Sequence, residues 1–246
     1  MQRFSTVLVW AGLTAFAQAP ATFDAASIKP HPPGDNSSRV IAEDHGIRLT
    51  NVTLLRVITL AYEVTEAQTA DWPAWLNQER WDIQAKSLDL PERPSPEQVI
   101  PLARALLAER VGLKAHREPR PLSVYRLTVD RAGTKLTRSA EQKQGGTSTN
   151  TSPTGVRMKS QGVSVAEFAR NLTRLLDRPV VNRTDLEGFF DFELSWVPDL
   201  AVAAEGDRES ASVFTAIREQ MGLRLEAGRE PVEVLVIDAV SRPTDN

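Results

Sequence analysis

The chain contains no cysteine. Disulfides, thiolate metal sites and a cysteine nucleophile are therefore excluded, and the fold must be held by its core. Histidine is scarce: His31, His45 and His116 are the three in the chain. None lies in H-E-x-x-H, and no two stand four apart on one helix, so the sequence predicts no metal centre and no cofactor. The signatures of serine chemistry are missing as well. There is no G-x-S-x-G elbow, no serine is followed three residues later by lysine, and no glycine-rich phosphate loop occurs. Neither sign of charge dominates: 29 Lys and Arg stand against 32 Asp and Glu, for a net charge of −3. Because the two signs are interleaved, no basic stripe is available for nucleic acid. No apolar run reaches the ~20 residues that a membrane-spanning helix needs.

What is present begins with a targeting pattern. Arg3 supplies a positive start, Phe4 to Ala17 is apolar or small, and Ala15-Phe16-Ala17 offers the small-x-small site a signal peptidase reads. A leader over residues 1–17, cleaved after Ala17, is expected, which makes the protein exported, periplasmic or extracellular. No stable membrane span is expected after cleavage.

The remainder reads as a pattern stated twice. Gly46-Ile47-Arg48-Leu49 can be set above Gly155-Val156-Arg157-Met158, both alternating as a half-buried strand does. A helical stripe follows each: Leu54, Leu55, Val57, Ile58 and Ala61, then Val165, Phe168, Ala169, Leu172, Leu175 and Leu176. Ser164 with Glu167 forms a capping box at the second. Next comes a strand that opens aromatic-Asp-apolar, Trp81-Asp82-Ile83 and then Phe190-Asp191-Phe192. The second helix of each copy ends alike, Glu109-Arg110-Val111-Gly112-Leu113 matching Glu219-Gln220-Met221-Gly222-Leu223. Gly112 and Gly222 are read as left-handed helix stops with the leucine folding back. Pro101 should interrupt the helix that Ser95-Pro96-Glu97-Gln98 starts, placing the regular part near Ile100 onward. Each copy then closes in its own hairpin, Leu113–Arg117 with Leu122–Val129 and Leu223–Ala227 with Val232–Val240. The expected class is α+β, two tandem β-α-β-β-α-β-β modules with mixed sheets and two helices each.

Composition sets the expected boundaries. Arg138–Thr154 is rich in Ser, Thr, Gly, Gln and Asn and nearly free of apolar residues, so residues 138–154 read as a mobile polar linker. The first module then spans 18–137, with an extra strand near Phe23–Pro30, and the second 155–246. Asp199–Ser210 is a second flexible segment.

Candidate sites are sparse. Trp72, Trp75 and Trp81 cluster in sequence and are the weak binding candidates, able to face a sugar or peptide or else to fill a core. Asp82 and Asp191 occupy corresponding places. As a carboxylate pair they could do acid–base work, but equivalent residues in repeated folds more often share a structural task, such as accepting a turn N–H. The histidines read as exposed, with His31 in a Pro-rich turn and His116 in a strand.

Several segments together carry a family likeness. They are Phe23-Asp24-Ala25-Ala26-Ser27-Ile28-Lys29-Pro30, Leu49-Thr50-Asn51-Val52-Thr53-Leu54, Leu60-Ala61-Tyr62, Trp75-Leu76, Arg80-Trp81-Asp82-Ile83-Gln84-Ala85-Lys86, Leu106-Leu107-Ala108-Glu109-Arg110 and Pro231-Val232-Glu233-Val234-Leu235-Val236-Ile237-Asp238. Over nearly the whole chain beyond the leader they resemble a family of exported proteins of unknown function expanded in soil bacteria. Many members of that family carry cysteines in the middle linker region, where this chain has none. The resemblance brings no activity and no residue roles. Related domains attached to membrane metallopeptidase sensors imply extracytoplasmic sensing. The second module also resembles the short N-terminal domain of secretins and TonB-dependent receptors, which contacts proteins and catalyses nothing. The expectation is an exported, non-catalytic binding protein of the envelope, with an envelope protein or peptide as partner and a small ligand as the other option. The rivals are a hydrolase using carboxylates gathered by the fold, and an extracytoplasmic ligand sensor.

Overall fold

A computed structural model describes residues 23–35, 37–152, 155–197 and 212–244. The expected leader and the segment Asp199–Ser210 lie outside the described residues. The chain is α+β, and the described residues form three four-stranded sheets. In chain order the elements are β1 (Ala25–Pro30), β2 (Arg39–Glu43), β3 (Gly46–Val52), α1 (Leu54–Tyr62), β4 (Thr69–Ala70), α2 (Trp75–Gln78), β5 (Trp81–Lys86) and α3 (Pro96–Arg110). There follow β6 (Lys114–Val129), β7 (Thr137–Arg138), β8 (Gly146–Ser152), β9 (Gly155–Val163), α4 (Val165–Leu175), β10 (Val180–Asn182), β11 (Phe190–Trp196), α5 (Val213–Ala216, running into a π turn Ile217–Met221) and β12 (Leu223–Ala239).

Two compact units divide these elements. Among the described residues, one takes those up to Val52 with Arg80–Gly112 and those from Arg242; the other takes Thr53–Glu79 and those between Leu113 and Ser241. The first unit holds sheet I, in the order β1-β5-β3-β2, antiparallel throughout. Helix α3 lies against β5 and buries Leu102, Leu106 and Leu107, while Ile28, Leu49, Trp81 and Ile83 are buried from the strands. Ser95 and Gln98 cap α3 reciprocally, and Gln98 Oε1 accepts the Ser95 N–H at 2.8 Å. Contrary to expectation, α3 runs unbroken from Pro96 through Pro101. Pro101 lies in the second turn, where a single ladder bond is forfeited and the flanking burial and cap hold the helix.

The second unit holds sheet II, β10-β6-β12-β4, and sheet III, β7-β11-β9-β8. Helix α4 is capped by Ser164, whose hydroxyl accepts the Glu167 N–H at 3.2 Å. Its apolar stripe enters a core with Val163, Phe190 and Leu194, and Phe168 meets Phe192 edge-on at 5.0 Å.

Sheet II overturns the expected hairpins. The segments read as paired arms are single long strands, and β6 pairs antiparallel with β12 along its whole length, Lys114 opposite Ala239 and Val129 opposite Leu223. Pro121 stands opposite Pro231 at the middle of the ribbon. Neither nitrogen can donate, so this must be a non-hydrogen-bonded pair. Short parallel strands complete the sheet: β10 beside Tyr125–Leu127 and β4 beside Leu235–Val236. A strand from each half of the sequence thus pairs with the long strand of the other half. The expected boundaries, 18–137 and 155–246, therefore do not separate compact bodies. Nor is 138–154 only a linker, since β7 and β8 arise there and β8 is zipped to β9, Gly146 opposite Gln161 through Ser152 opposite Gly155. Seven consecutive polar or small residues make a strand because its neighbour supplies the ladder, not because of apolar alternation.

Candidate functional site

Sheets I and III have the same strand order, with β1, β5, β3, β2 answering to β7, β11, β9, β8. They also share a fault. In sheet I the register steps between Leu49 opposite Ile83 and Val52 opposite Trp81, so Thr50 and Asn51 face Asp82 alone. In sheet III it steps between Ser160 opposite Phe192 and Val163 opposite Phe190, so Gln161 and Gly162 face Asp191 alone. Each is a bulge of two residues against one. These registers correct the alignment read from sequence. Leu49 corresponds to Ser160, so Gly46 answers to Arg157 rather than Gly155. A two-residue slip keeps the alternation intact, which is why the pattern alone could not detect it.

The bulge residues need a left-handed backbone, and Asn51 (φ 52°) and Gly162 (φ 62°) supply it. Asparagine tolerates that region better than most residues, and glycine does so without cost. The amide that points into the bulge is met by the aspartate opposite. The Asn51 N–H donates to Asp82 Oδ1 at 2.9 Å, and the Gly162 N–H to Asp191 Oδ1 at 2.8 Å.

Beyond this shared frame the two places differ. In sheet I the chain leaves β1 at Pro30, and the His31 N–H donates to the Arg80 carbonyl at 2.9 Å. The His31 ring turns onto Asp82, with Nδ1 at 2.7 Å from Oδ1, while Nε2 lies 2.9 Å from the Asp35 carbonyl oxygen. Only 7% of the His31 side chain is exposed. Both partners are acceptors, so both ring nitrogens must donate and the ring is an imidazolium. The Asp35 carbonyl first, and then the Asp82 carboxylate, raise its pKa above 6.5. Asp35 is itself held below the usual carboxylate range by the Ser37 N–H and hydroxyl, and Asn51 Nδ2 ties back to the Asp35 carbonyl at 3.2 Å. The expectation of an exposed, unengaged His31 is thus corrected. Nothing in a His-Pro-Pro-Gly-Asp turn discloses that its histidine folds onto a strand fifty residues away.

In sheet III the chain leaves β7 at Arg138, and the Ser139 N–H donates to the Phe189 carbonyl at 2.9 Å. Ser139 therefore stands where His31 stands, and among the described residues no ring reaches Asp191. In its place is an open cleft of about 740 Å³ over the bulge, lined by Ser139, Glu141, Lys143, Lys159, Gly162 and Asp191 among others. Lys143 pairs with Glu141, both side chains largely in solvent, whereas Asp191 is half-buried. Gly162 is required twice over, by its φ and because a Cβ there would lie 2.6 Å from the Lys143 carbonyl oxygen.

Two further surfaces present paired charges or exposed apolar side chains. Along β6 and β12, His116 Nδ1 lies 2.9 Å from Asp238 Oδ1, and Arg120 binds both Glu118 (2.5 Å) and Asp71 (2.6 Å). The Asp238 carboxylate raises the His116 pKa, and Arg120 lowers those of Glu118 and Asp71. All are solvent-exposed pairs that water screens, so they contribute little to stability. At one end of sheet I, β2 presents Val40 (52% exposed) and Ile41 (45%) beside polar neighbours. It is fastened inward by Arg48 to Glu43 at 2.5 Å and by Gln84 to Glu43 at 3.1 Å.

Trp81 is 6% exposed and belongs to a core, not to a binding face, which corrects that candidate. Trp72 and Trp75 are half-buried in the other unit. Gly112 (φ 60°) and Gly222 (φ 64°) both sit left-handed past their helices, and the Gly222 N–H returns to the Arg218 carbonyl at 3.1 Å. Among the described residues, no group of three His, Asp or Glu could hold a metal ion, and no helix is long and apolar enough to cross a membrane. A family model described as a protein of unknown function, DUF3738, matches residues 55–240. No curated protein and no solved structure matches the chain.

Proposed function

The chain belongs to the DUF3738 family of proteins of unknown function, and we propose that it is an exported, non-catalytic binding protein that takes an extended segment of an envelope partner onto the outer edge of β2, which no strand of the described residues covers. The observation that carries this is the edge itself. All five residues of β2 are exposed or nearly so, and two β-branched apolar side chains stand in water at the end of an antiparallel sheet. Soluble proteins usually blunt such an edge with charge, proline or a covering element. A partner strand would gain main-chain hydrogen bonds from β2, while Val40 and Ile41 point to opposite faces and read alternate side chains. The aspartates of sheets I and III support the non-catalytic part, since each has a structural duty, accepting the stray N–H of its own bulge. The leader pattern at Arg3 to Ala17 supports export.

A photo-crosslinker at Ile41 tests the reading in envelope extract. The captured segment, made as a synthetic peptide, should slow amide exchange over Arg39–Glu43, and Ile41→Lys should abolish that protection. Unchanged exchange in β2 with saturating peptide would overturn it. So would turnover of an envelope substrate that Asp82→Asn or Asp191→Asn abolishes.

A further inference from the structure

Sheets I and III offer an internal comparison: the same strand order, the same bulge and the same aspartate, with the place over the aspartate filled in one and open in the other. In sheet I the occupant is known. It is a planar cation, His31, which gives one N–H to Asp82 and the other to a loop carbonyl. In sheet III the residue at the corresponding place is Ser139, too short to reach, and Asp191 keeps only the Gly162 N–H as a partner among the described residues. A carboxylate in this setting retains most of its accepting capacity.

We propose that the cleft over Asp191 is a binding site for a compact planar N–H-donor cation, an imidazolium or guanidinium group on a peptide side chain, seated as His31 is seated over Asp82.

The charges around the cleft favour a cation over an anion. The half-buried charge is the Asp191 carboxylate, while the two ammonium groups stand at the exposed rim and Lys143 is already paired with Glu141. Charges in contact with water are screened, whereas a sheltered carboxylate with unused lone pairs forms strong charge-assisted hydrogen bonds. Ser139 and Thr147 line the same cleft, which gives it a polar wall, with the Thr147 hydroxyl held by Ser160 Oγ at 2.9 Å. Gly146 leaves the backbone bare at the cleft, with nothing within 4 Å of where its Cβ would stand, so a flat ring can approach there. The site uses sheet III alone, so it stands or falls separately from the β2 edge.

The test is an amide NMR titration of the full chain with N-acetylhistidine amide at pH 5.5 and with N-acetylarginine amide at the same pH. N-acetylglutamine amide serves as the uncharged control. The cationic probes should shift amides in 139–147, 159–162 and around Asp191, and the glutamine probe should not. Asp191→Asn keeps an oxygen for the Gly162 N–H, so the fold persists, while affinity for the cationic probes should drop at least tenfold. Ser139→His should fill the cleft from within, abolish probe binding, and yield a new histidine that titrates above 6.5. Equal affinity in Asp191→Asn, or shifts confined to other surfaces, would overturn the proposal. An ordinary titration of the introduced imidazole together with undiminished probe binding would do the same.

Discussion

The two glycine stops separate two physical costs that are usually measured together. Gly112 and Gly222 have nearly the same backbone, φ 60° and 64°, at the same place in corresponding helices. Alanine at either must adopt a left-handed conformation, which costs ~1–2 kcal/mol. Their surroundings differ. A Cβ on Gly112 would meet nothing within 4 Å. A Cβ on Gly222 would overlap the Gly133 carbonyl oxygen and stand 3.0 Å from the Lys135 nitrogen. That turn cannot simply retreat. The Asp130 N–H donates to the Gly222 carbonyl at 2.9 Å, the Lys135 N–H to the Met221 carbonyl at 2.8 Å, and Lys135 Nζ to the Glu219 carbonyl at 2.6 Å. Forcing an extra carbon into a packed site adds ~1–3 kcal/mol. Gly112→Ala should therefore cost ~1–2 kcal/mol and Gly222→Ala ~2–5 kcal/mol. Urea titrations of both variants, followed by far-UV circular dichroism and by amide exchange at α3 and β12, would assign each loss to its own unit. Equal losses, or a Gly222→Ala protein as stable as the parent, would refute the reasoning.

His31 makes stability depend on pH with a definite sign. Its folded pKa lies above the ordinary 6.5, so its contribution is fully present below 6.5 and fades as pH rises through the folded value. The stability gap between the parent and His31→Leu should narrow from pH 6 to pH 9, and a constant gap would contradict the imidazolium assignment. Pro101→Ala restores a helical N–H at an exposed position of α3 and should stabilise by ~1–3 kcal/mol; a lower melting temperature would show that the proline is compensated. The Trp81 Nε1 is buried with no partner among the described residues, and Phe190 holds the corresponding place in sheet III, so Trp81→Phe should cost less than ~1.5 kcal/mol, since a desolvated N–H is relieved as volume is lost. A larger loss in a denaturant titration would mean that the indole nitrogen finds water. Finally, a fragment of residues 155–246 should show no cooperative unfolding until mixed with the fragment 1–152, because β12 has its ladder partner in β6; a sharp transition for the isolated fragment would refute the shared sheet.

Local signals were legible where local physics decides. The Ser95 and Ser164 caps, the stripes of α1 and α4, and the two left-handed glycines each follow from residues within a few positions of one another. Partner choice was not legible. Val232 to Ile237 is apolar on both faces whether it folds back on its own neighbour or pairs with a strand a hundred residues earlier, and only the assembled sheet chooses. Gly146 to Ser152 carries no apolar face at all, so nothing local marks it as β. The site was hidden for a related reason. His31 is separated from Asp82, and Ser139 from Asp191, by about fifty residues, and the comparison between them appears only once both bulges are in register.

That comparison locates where this scaffold is free to vary. The bulge, its left-handed residue and the aspartate that satisfies the stray amide are the same in both sheets, because each removes a backbone fault that folding cannot leave buried. The occupant of the space over the aspartate has no such duty: the sheet I bulge is closed by an imidazolium, yet the sheet III bulge is equally well formed without one. A position that the fold does not require, beside a charge that it does, can exchange an internal partner for an external one at little cost in stability. The same logic applies to the edges. β8 and β2 end corresponding sheets, but β8 is polar along its length while β2 carries Val40 and Ile41 into solvent. In both comparisons the backbone is held constant and the exposed side chain changes, and the two places that differ, the open cleft of sheet III and the apolar edge of sheet I, are where recognition should be sought first.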